Sequence, residues 1–430
     1  MHIAIWNGCW RKMSNIRRGK LTFSMGQVLG TIHVVLLCVM LVLKVIRAYS
    51  GAASTGGVWN YIQLFFVGSG LLFSIRYARI HGRQPALAVF IVFGVITFLI
   101  ACTKLSTFSI AQLFNLFTIP YGPMMLVWVY YLSMRGKIQS MHRYVYWVYY
   151  IIAVIVVLAM LRYRGGMVSE RGAVADVYYV VALMPFAMFH IRKRSNGLLV
   201  RSTKRKNQEA TYRLNWKIML PILAAAAGTV LTGKRAGLLA VVAMFLVYFF
   251  IVSRQQKDGR RQFNTLLLFG FVILLALLAL SYLEKQYDLG VIERLMRLAE
   301  DGGSNRDVIW AARLQAVRDA TPMQLLFGYR TSPFVGHAHN DFLELMTLYG
   351  IFPPVLFMAY FLLLTAQLRR MLKTRYPYAA EFSAAIISGF FLAMFSFFVI
   401  DPTYITSHVF SVGVLMADYQ GYLKGKVSRK

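Results

Sequence analysis

The run FNTLLLFGFVILLALLALSYL at 263–283 gives way without a break to EKQYDLGVIERLMRLAEDGGSNRD at 284–307. An α-helix needs about 20 consecutive apolar residues to cross a bilayer, so the first segment reads as a transmembrane helix. The polar stretch that follows extends from 284 to 350 and contains His337-Ala338-His339-Asn340-Asp341 near its end. Ionisable groups close to lipid are costly and persist mainly where they act, which makes 284–350 the stretch in which chemistry is expected.

Outward from this boundary the same apolar pattern recurs. The chain is 58% hydrophobic, with a mean hydropathy of +0.57. Its apolar runs predict an all-α polytopic membrane protein with about twelve spans, at 26–43, 59–75, 86–102, 110–133, 144–161, 177–191, 218–232, 236–252, 263–283, 351–368, 379–400 and 405–423. A soluble fold is excluded. One membrane domain over 1–430 is expected, with 284–350 as a large catalytic loop inside it and short helices within that loop. An even number of spans puts both termini on one side. With the N-terminus in the cytoplasm, most of the 47 Lys and Arg residues fall in cytoplasmic segments, as the positive-inside rule requires. Arg76, Arg79, Arg83, Arg192-Lys193-Arg194, Arg260-Arg261 and Arg369-Arg370 all lie in such short loops.

The net charge of +31 is therefore dispersed between spans and is not the footprint of a nucleic-acid binder. The basic segment 192–217 is placed to touch anionic lipid headgroups. Cys9 falls in the N-terminal tail, and Cys38 and Cys102 fall in spans, so no disulfide framework is expected. The first apolar run is a full span behind a basic tail and does not read as a cleavable signal peptide. P-loop and dinucleotide fingerprints are absent, and no cofactor is expected.

Within the long loop, Leu289, Ile292, Leu295, Met296 and Leu298 interleave with Glu293, Arg294, Arg297 and Glu300 as an amphipathic helix. After Asp301-Gly302-Gly303, the pair Ser304-Asn305 can cap a second helix through Trp310, Leu314 and Val317 to Pro322, with Arg306 in its first turn. Arg306 and Arg313 could be solvated surface charges. Arg306 is the stronger candidate, because a guanidinium beside exposed helix N–H groups forms an anion site. Thr232-Gly233-Lys234-Arg235 is the whole connection between two apolar runs on the same outer side, where the orientation rule disfavours cations. Lys234 and Arg235 read either as snorkelling boundary residues or as a phosphate or diphosphate site at the membrane surface.

His337-Ala338-His339-Asn340-Asp341 precedes Phe342, Leu343, Leu345 and Leu348 at helical spacing, then Tyr349-Gly350. Its histidines fit a structural cap, a metal site or a general base that takes a proton from a hydroxyl near neutral pH. No second cluster of Cys, His or carboxylates completes a coordination sphere, so no metal is expected. Asp401-Pro402-Thr403-Tyr404 and His408 sit in the last outer loop, a turn that could reach the same cavity.

Taken together, these features resemble the O-antigen ligase and Wzy-type polymerase superfamily of bacterial inner-membrane glycosyltransferases, a GT-C-like architecture. Thr232-Gly233-Lys234-Arg235-Ala236-Gly237-Leu238-Leu239 is similar to the family's short arginine turn. Asn305-Arg306-Asp307-Val308-Ile309-Trp310 with Leu326-Phe327-Gly328-Tyr329 is similar to its stretch with an arginine, a tryptophan and a later glycine. His339-Asn340-Asp341-Phe342-Leu343-Glu344-Leu345, ending at Tyr349-Gly350-Ile351, is similar to its histidine-asparagine helix and closing glycine. The ligase-type pattern continues past that glycine with a small or polar residue, whereas this chain has Phe352-Pro353-Pro354.

The resemblance implies that Arg235 and Arg306, with Lys234, bind the diphosphate of an undecaprenyl-diphosphate-linked oligosaccharide donor. It implies that His339 contacts or deprotonates the acceptor hydroxyl at the periplasmic face, with His337, Asn340 and Arg313 in support. Deprotonation opposite a departing diphosphate would make the enzyme a metal-independent inverting glycosyltransferase. Polymerisation of O-antigen, exopolysaccharide or capsule repeat units is the first expectation, with a chain-length regulator as a further candidate partner. Ligation of the glycan to lipid A core is the close alternative. A lipid-linked oligosaccharide transporter or flippase is the alternative of a different class, and it would place its ionisable residues at the bilayer midplane inside broken helices.

Overall fold

Apolar residues recurring every three or four positions should give helices with one face packed and one face free, and the computed structural model of the chain consists of such elements. It describes residues 24–50, 56–80, 84–105, 110–164, 177–202, 216–232, 234–255, scattered positions between 259 and 285, 306–329, 338–396 and 402–427. The helices are α1 (Met25–Ser50), α2 (Gly56–Ile80), α3 (Pro85–Cys102), α4 (Ile110–Met134), α5 (His142–Arg164), α6 (Val177–Ser202), α7 (Met219–Thr232), α8 (Arg235–Gln255), α9 (Arg306–Arg318), α10 (Pro322–Phe327), α11 (Asp341–Tyr349), α12 (Phe352–Lys373), α13 (Ala379–Phe395) and α14 (Pro402–Val427). No strand occurs among the described residues.

Every expected span except 263–283 falls on one of these helices, and the described positions of 263–283 are themselves helical. Among the described residues, five segments are long and apolar enough to cross a membrane: Met25–Leu43, Pro85–Cys102, Gln139–Leu158, Ala236–Gln255 and Phe352–Lys373. Tyr61–Ser74, Met219–Thr232 and Ala379–Phe395 are shorter apolar helices. These helices fit an integral membrane protein, with no strand among the described residues.

α3 shows how the pattern is built. Pro85 starts it, where a missing N–H costs nothing, and Phe90, Phe93 and Thr97 are buried while Val92, Val95 and Leu99 are exposed. Its neighbour α4 carries Pro120 and Pro123 in its interior and is buried between α2, α3 and α14. Close approach there depends on small residues. A Cβ on Gly94 of α3 would come within 2.8 Å of the Pro123 ring, and one on Gly122 of α4 within 2.8 Å of Ile405 on α14. α14 also packs on α6, while α13 packs on α8 and α6, and α12 on α3. Helices from the C-terminal region therefore pack directly against N-terminal ones.

The two ends of this bundle differ. At one end Arg192 of α6 donates to both carboxylate oxygens of Glu381, at 2.8 and 3.0 Å, and to the Pro377 carbonyl. Lys193 pairs with Asp418 of α14, which also accepts from the Tyr376 hydroxyl. These pairs correct the expectation that the start of 192–217 is free for lipid headgroups, because Arg192 and Lys193 are occupied by internal carboxylates. Cys38 and Cys102 are free thiols; Cys9 lies outside the described residues. The opposite end holds α9, α10 and α11 and the α7–α8 turn.

Candidate active site

The α7–α8 turn is tight because of what lies under it. Thr232 Oγ1 donates back to the Gly228 carbonyl at 2.8 Å, and the Lys234 N–H donates to the Thr229 carbonyl at 3.2 Å. In α8, Gly237 lets the first turn sit on Tyr178, the second residue of α6; a Cβ there would come within 2.8 Å of Thr229 and 3.3 Å of the Tyr178 ring. Arg235 is the first residue of α8, and its side chain lies outside the described set. The Lys234 ammonium is held below its ordinary pKa, first by burial and second by the positive charge of Arg306. Two cations separated by roughly 70 positions in sequence are thus close enough in space to repel.

Arg306 is the first residue of α9. Its Nη1 donates to the Phe395 carbonyl at the end of α13, at 3.1 Å. It also lies within electrostatic reach of Tyr178, whose hydroxyl is hydrogen-bonded to Ser396. One helical turn on, Trp310 shares the face of Arg306, since residues four apart are neighbours on a helix. Its indole N–H donates to the Ala338 carbonyl at 2.8 Å, and its ring packs on Phe395. The residue after that carbonyl is His339. The structure therefore places Lys234, Arg306 and the His339 segment at the same end of the bundle, linked through α9.

His339 is half-buried and has φ 52°, in the left-handed region that a side chain other than Asn, Asp or His rarely enters. Such strain survives only where the surroundings impose it. Asn340 imposes one part, because its Oδ1 accepts from the Leu343 N–H at 3.1 Å and caps α11. Glu344 imposes another, because its Oε2 accepts from the Ala338 N–H at 2.8 Å. The Glu344 carboxylate is in turn paired with Arg313 of α9 at 3.2 Å, and the Arg313 Nη1 also donates to Thr347 Oγ1 at 2.8 Å. Both charged side chains are shut away from water, with 1% and 5% of their surface exposed. Burial lowers the pKa of Arg313, and the Glu344 charge opposes that shift.

Arg313 is not the solvated surface charge that its sequence position allowed. It is a buried tie between α9 and α11, because its position on α9 faces inward while Asp307, Ala311 and Leu314 face out. Asn340 serves as a helix cap, its side chain being spent on the orphan N–H of Leu343. The helix expected to run to Pro322 ends at Arg318 instead. Thr321 and Gln324 form a capping box that starts α10 afresh, with Pro322 as its first residue. His408 does not reach this end of the chain's chemistry either; it is buried against Gly389 of α13, with Nε2 3.1 Å from the Tyr360 hydroxyl. His337, the amphipathic segment 289–300, the Ser304-Asn305 cap and Asp401 lie outside the described residues.

Gly328 and Gly350, both matched in the sequence reading, have φ 75° and 80°. Their backbones touch the partner strand of chain directly: a Cβ on Gly328 would collide with the Leu348 carbonyl group, and one on Gly350 with the Leu326 carbonyl group. The contact is sealed by Tyr329 N–H to Thr347 O at 2.9 Å and Ile351 N–H to Leu325 O at 3.0 Å. Lys104, just beyond α3, donates to the carbonyls of Tyr329 and Leu348 and lies over the Tyr349 ring. Burial pushes its ammonium down to about 8. Lys104, Tyr178, Glu344 and Ser396 were not singled out from sequence. Only Glu344 carried a signal, as an acidic residue in the first turn of an apolar helix.

Residues 220–358 match the family model described as O-antigen ligase. The matched stretch contains Lys234, Arg235, Arg306, Arg313, Gly328, His339 and Gly350, so the superfamily resemblance read from the sequence is borne out over α7 to the start of α12. No curated protein matches the chain. The match supports a membrane function in joining glycans, by polymerisation or ligation.

Proposed function

We propose that this protein is an inner-membrane glycosyltransferase that uses a polyprenyl-diphosphate-linked glycan as donor, at the periplasmic face, and extends a surface polysaccharide by polymerising its repeat units. The observation that carries the reading is the mutual proximity of Lys234 and Arg306 beside the segment that holds His339 in a strained conformation. In this reading both termini are cytoplasmic, the bundle has about twelve spans, and the end carrying α9 to α11 faces the periplasm.

The chemistry follows from charge. A diphosphate that meets both cations offsets the repulsion between them and the desolvation of the Lys234 ammonium. Negative charge grows on the departing diphosphate as the anomeric bond breaks. Arg306 and Lys234, near one another before substrate arrives, take it up with little reorganisation at the moment of reaction, and Arg235, next in sequence to Lys234, is the third cation in this reading. His339 takes the proton of the acceptor hydroxyl as its oxygen attacks from the opposite face of the sugar, which inverts the anomeric centre. The Arg313–Glu344 pair and the Asn340 cap hold that imidazole in its strained turn.

Ligation to lipid A core is the second reading, favoured by the description of the matched family as O-antigen ligase. Complementation of strains lacking either activity separates the two. Loss of chain length with single repeats still attached identifies a polymerase, whereas full-length glycan stranded on the carrier identifies a ligase. Within either assay, His339→Ala is expected to abolish transfer while leaving membrane insertion intact. Arg306→Lys keeps the charge but loses the planar fork, with an expected rate loss of about a hundredfold. Normal glycan from the His339→Ala protein would refute the catalytic assignment.

A further inference from the structure

α10 is six residues long, and it exposes almost everything it has. Pro322-Met323-Gln324-Leu325-Leu326-Phe327 contains one polar side chain, Gln324, and that side chain is consumed in the capping box with Thr321. Met323 is 68% exposed, and Leu325, Leu326 and Phe327 are exposed as well. A surface helix in water should carry a polar face, and this one has none.

Its place in the fold explains the composition. The Leu325 carbonyl accepts from the N–H of Ile351, the residue immediately before α12, and Gly350 presses on the Leu326 carbonyl. α12 begins with exposed Phe352 and continues with Val355 at 57% and Leu362 at 63% exposure, side chains that face lipid in a membrane-crossing helix. On the other side, the Tyr329 carbonyl beyond α10 is held by Lys104, two residues past the end of α3, which is also long and apolar enough to cross. α10 is therefore pinned between the ends of two spans, at the depth where hydrocarbon meets headgroups. Its exposed apolar side chains thus stand on a helix tied by its backbone to the residue that precedes α12.

Backbone chemistry agrees with that depth. Polar backbone groups are tolerated near hydrocarbon only when paired. Thr321 N–H is paired with Gln324 Oε1, Gln324 N–H with Thr321 Oγ1, Leu325 N–H with Thr321 O, and Gly328 N–H with Gln324 O.

We infer that α10 is an interfacial helix whose Met323, Leu325, Leu326 and Phe327 side chains are immersed in the acyl-chain region of the bilayer leaflet on the active-site side, anchoring the loop that carries His339 to the lipid surface. This inference concerns lipid contact alone and stands or falls independently of the glycosyl-transfer reading.

The test uses the full chain in nanodiscs, with Cys9, Cys38 and Cys102 replaced by Ser or Ala and an environment-sensitive fluorophore on Met323→Cys. A second label on Gln315→Cys, on an exposed position of α9, serves as the water-facing reference. Met323 makes little internal packing, and Phe327→Cys provides a second reporter should labelling at 323 lower the melting temperature. The expected result is blue-shifted emission at 323, quenched by a phosphatidylcholine spin-labelled near the top of its acyl chain and not by iodide, with the reverse at 315. Iodide quenching at 323, which would mean a water-facing helix, overturns the inference. So does protection from both quenchers, which would mean a surface covered by protein.

Discussion

Replacing Glu344 by Ala removes the acceptor for two donors at once, the Arg313 guanidinium at 3.2 Å and the Ala338 N–H at 2.8 Å. With 1% and 5% of the two charged side chains exposed, solvent cannot take over the lost interaction without the helices parting. Breaking a buried pair by deleting one partner costs about 3–5 kcal/mol, chiefly because the surviving charge is left unpaired. An orphaned buried amide adds about 1–3 kcal/mol unless water enters. The lower bound of about 3 kcal/mol falls on the contact of α9 with α11, the two helices that the pair joins. At 1.4 kcal/mol per factor of ten, that raises the local opening constant by roughly two orders of magnitude or more.

Hydrogen exchange of the full chain in nanodiscs reads this directly. Peptides covering 306–318 and 338–350 should lose protection in Glu344→Ala, while those from α4 keep theirs, and glycan transfer should fall because the turn holding His339 opens with them. A companion double variant, Arg313→Met with Glu344→Leu, removes both charges and should recover most of the protection. Protection unchanged in Glu344→Ala, or a double variant as open as the single one, would refute the claim that this pair holds the site.

Trp310→Phe keeps an aromatic ring but deletes the indole N–H together with the five-membered ring that carries it, so the Ala338 carbonyl is freed at a cost of about 1 kcal/mol for the hydrogen bond, plus some lost packing. Steady-state kinetics should show kcat falling more than KM for the donor rises, since the deleted hydrogen bond leads to the residue before His339. Gly350→Ala forces alanine into a conformation (φ 80°, ψ −168°) that essentially only glycine adopts, at about 1–3 kcal/mol, and drives a methyl group into the Leu326 carbonyl. Protease sensitivity near 320–350 should rise and transfer should be lost even though the protein still inserts. For Lys104 the folded pKa of about 8 lies below the ordinary 10.5. The penalty for burying its charge is fully present below pH 8 and is relieved as pH rises from 8 towards 10.5, because the unfolded form then binds more protons than the folded one. The melting temperature of the wild type relative to Lys104→Met should therefore climb across that window, and a flat difference would contradict the assignment.

What could be read from the sequence and what could not divide along a physical line. α11 was legible because each of its signals is local. Asn340 precedes the apolar run, acidic residues occupy the first turn, and Gly350 ends the helix with positive φ. The cations were legible for the opposite reason: Lys234, Arg235 and Arg306 sit where membrane insertion gives no cause for them, so their cost had to be repaid by something. Arg313 was misjudged because its meaning depends on which face of α9 is covered, and that is decided by α11, a helix encountered only later in the chain. Lys104 was invisible, since a single lysine at the end of a span looks like any boundary residue until the carbonyls of Tyr329 and Leu348 arrive beside it. Asn340, expected in a supporting part, caps α11 beside His339. The residues that touch substrate in the proposed mechanism thus announce themselves by being out of place. Those that hold them there look ordinary in sequence, because packing, capping and pairing are what most residues do, and only the fold says which of them hold His339.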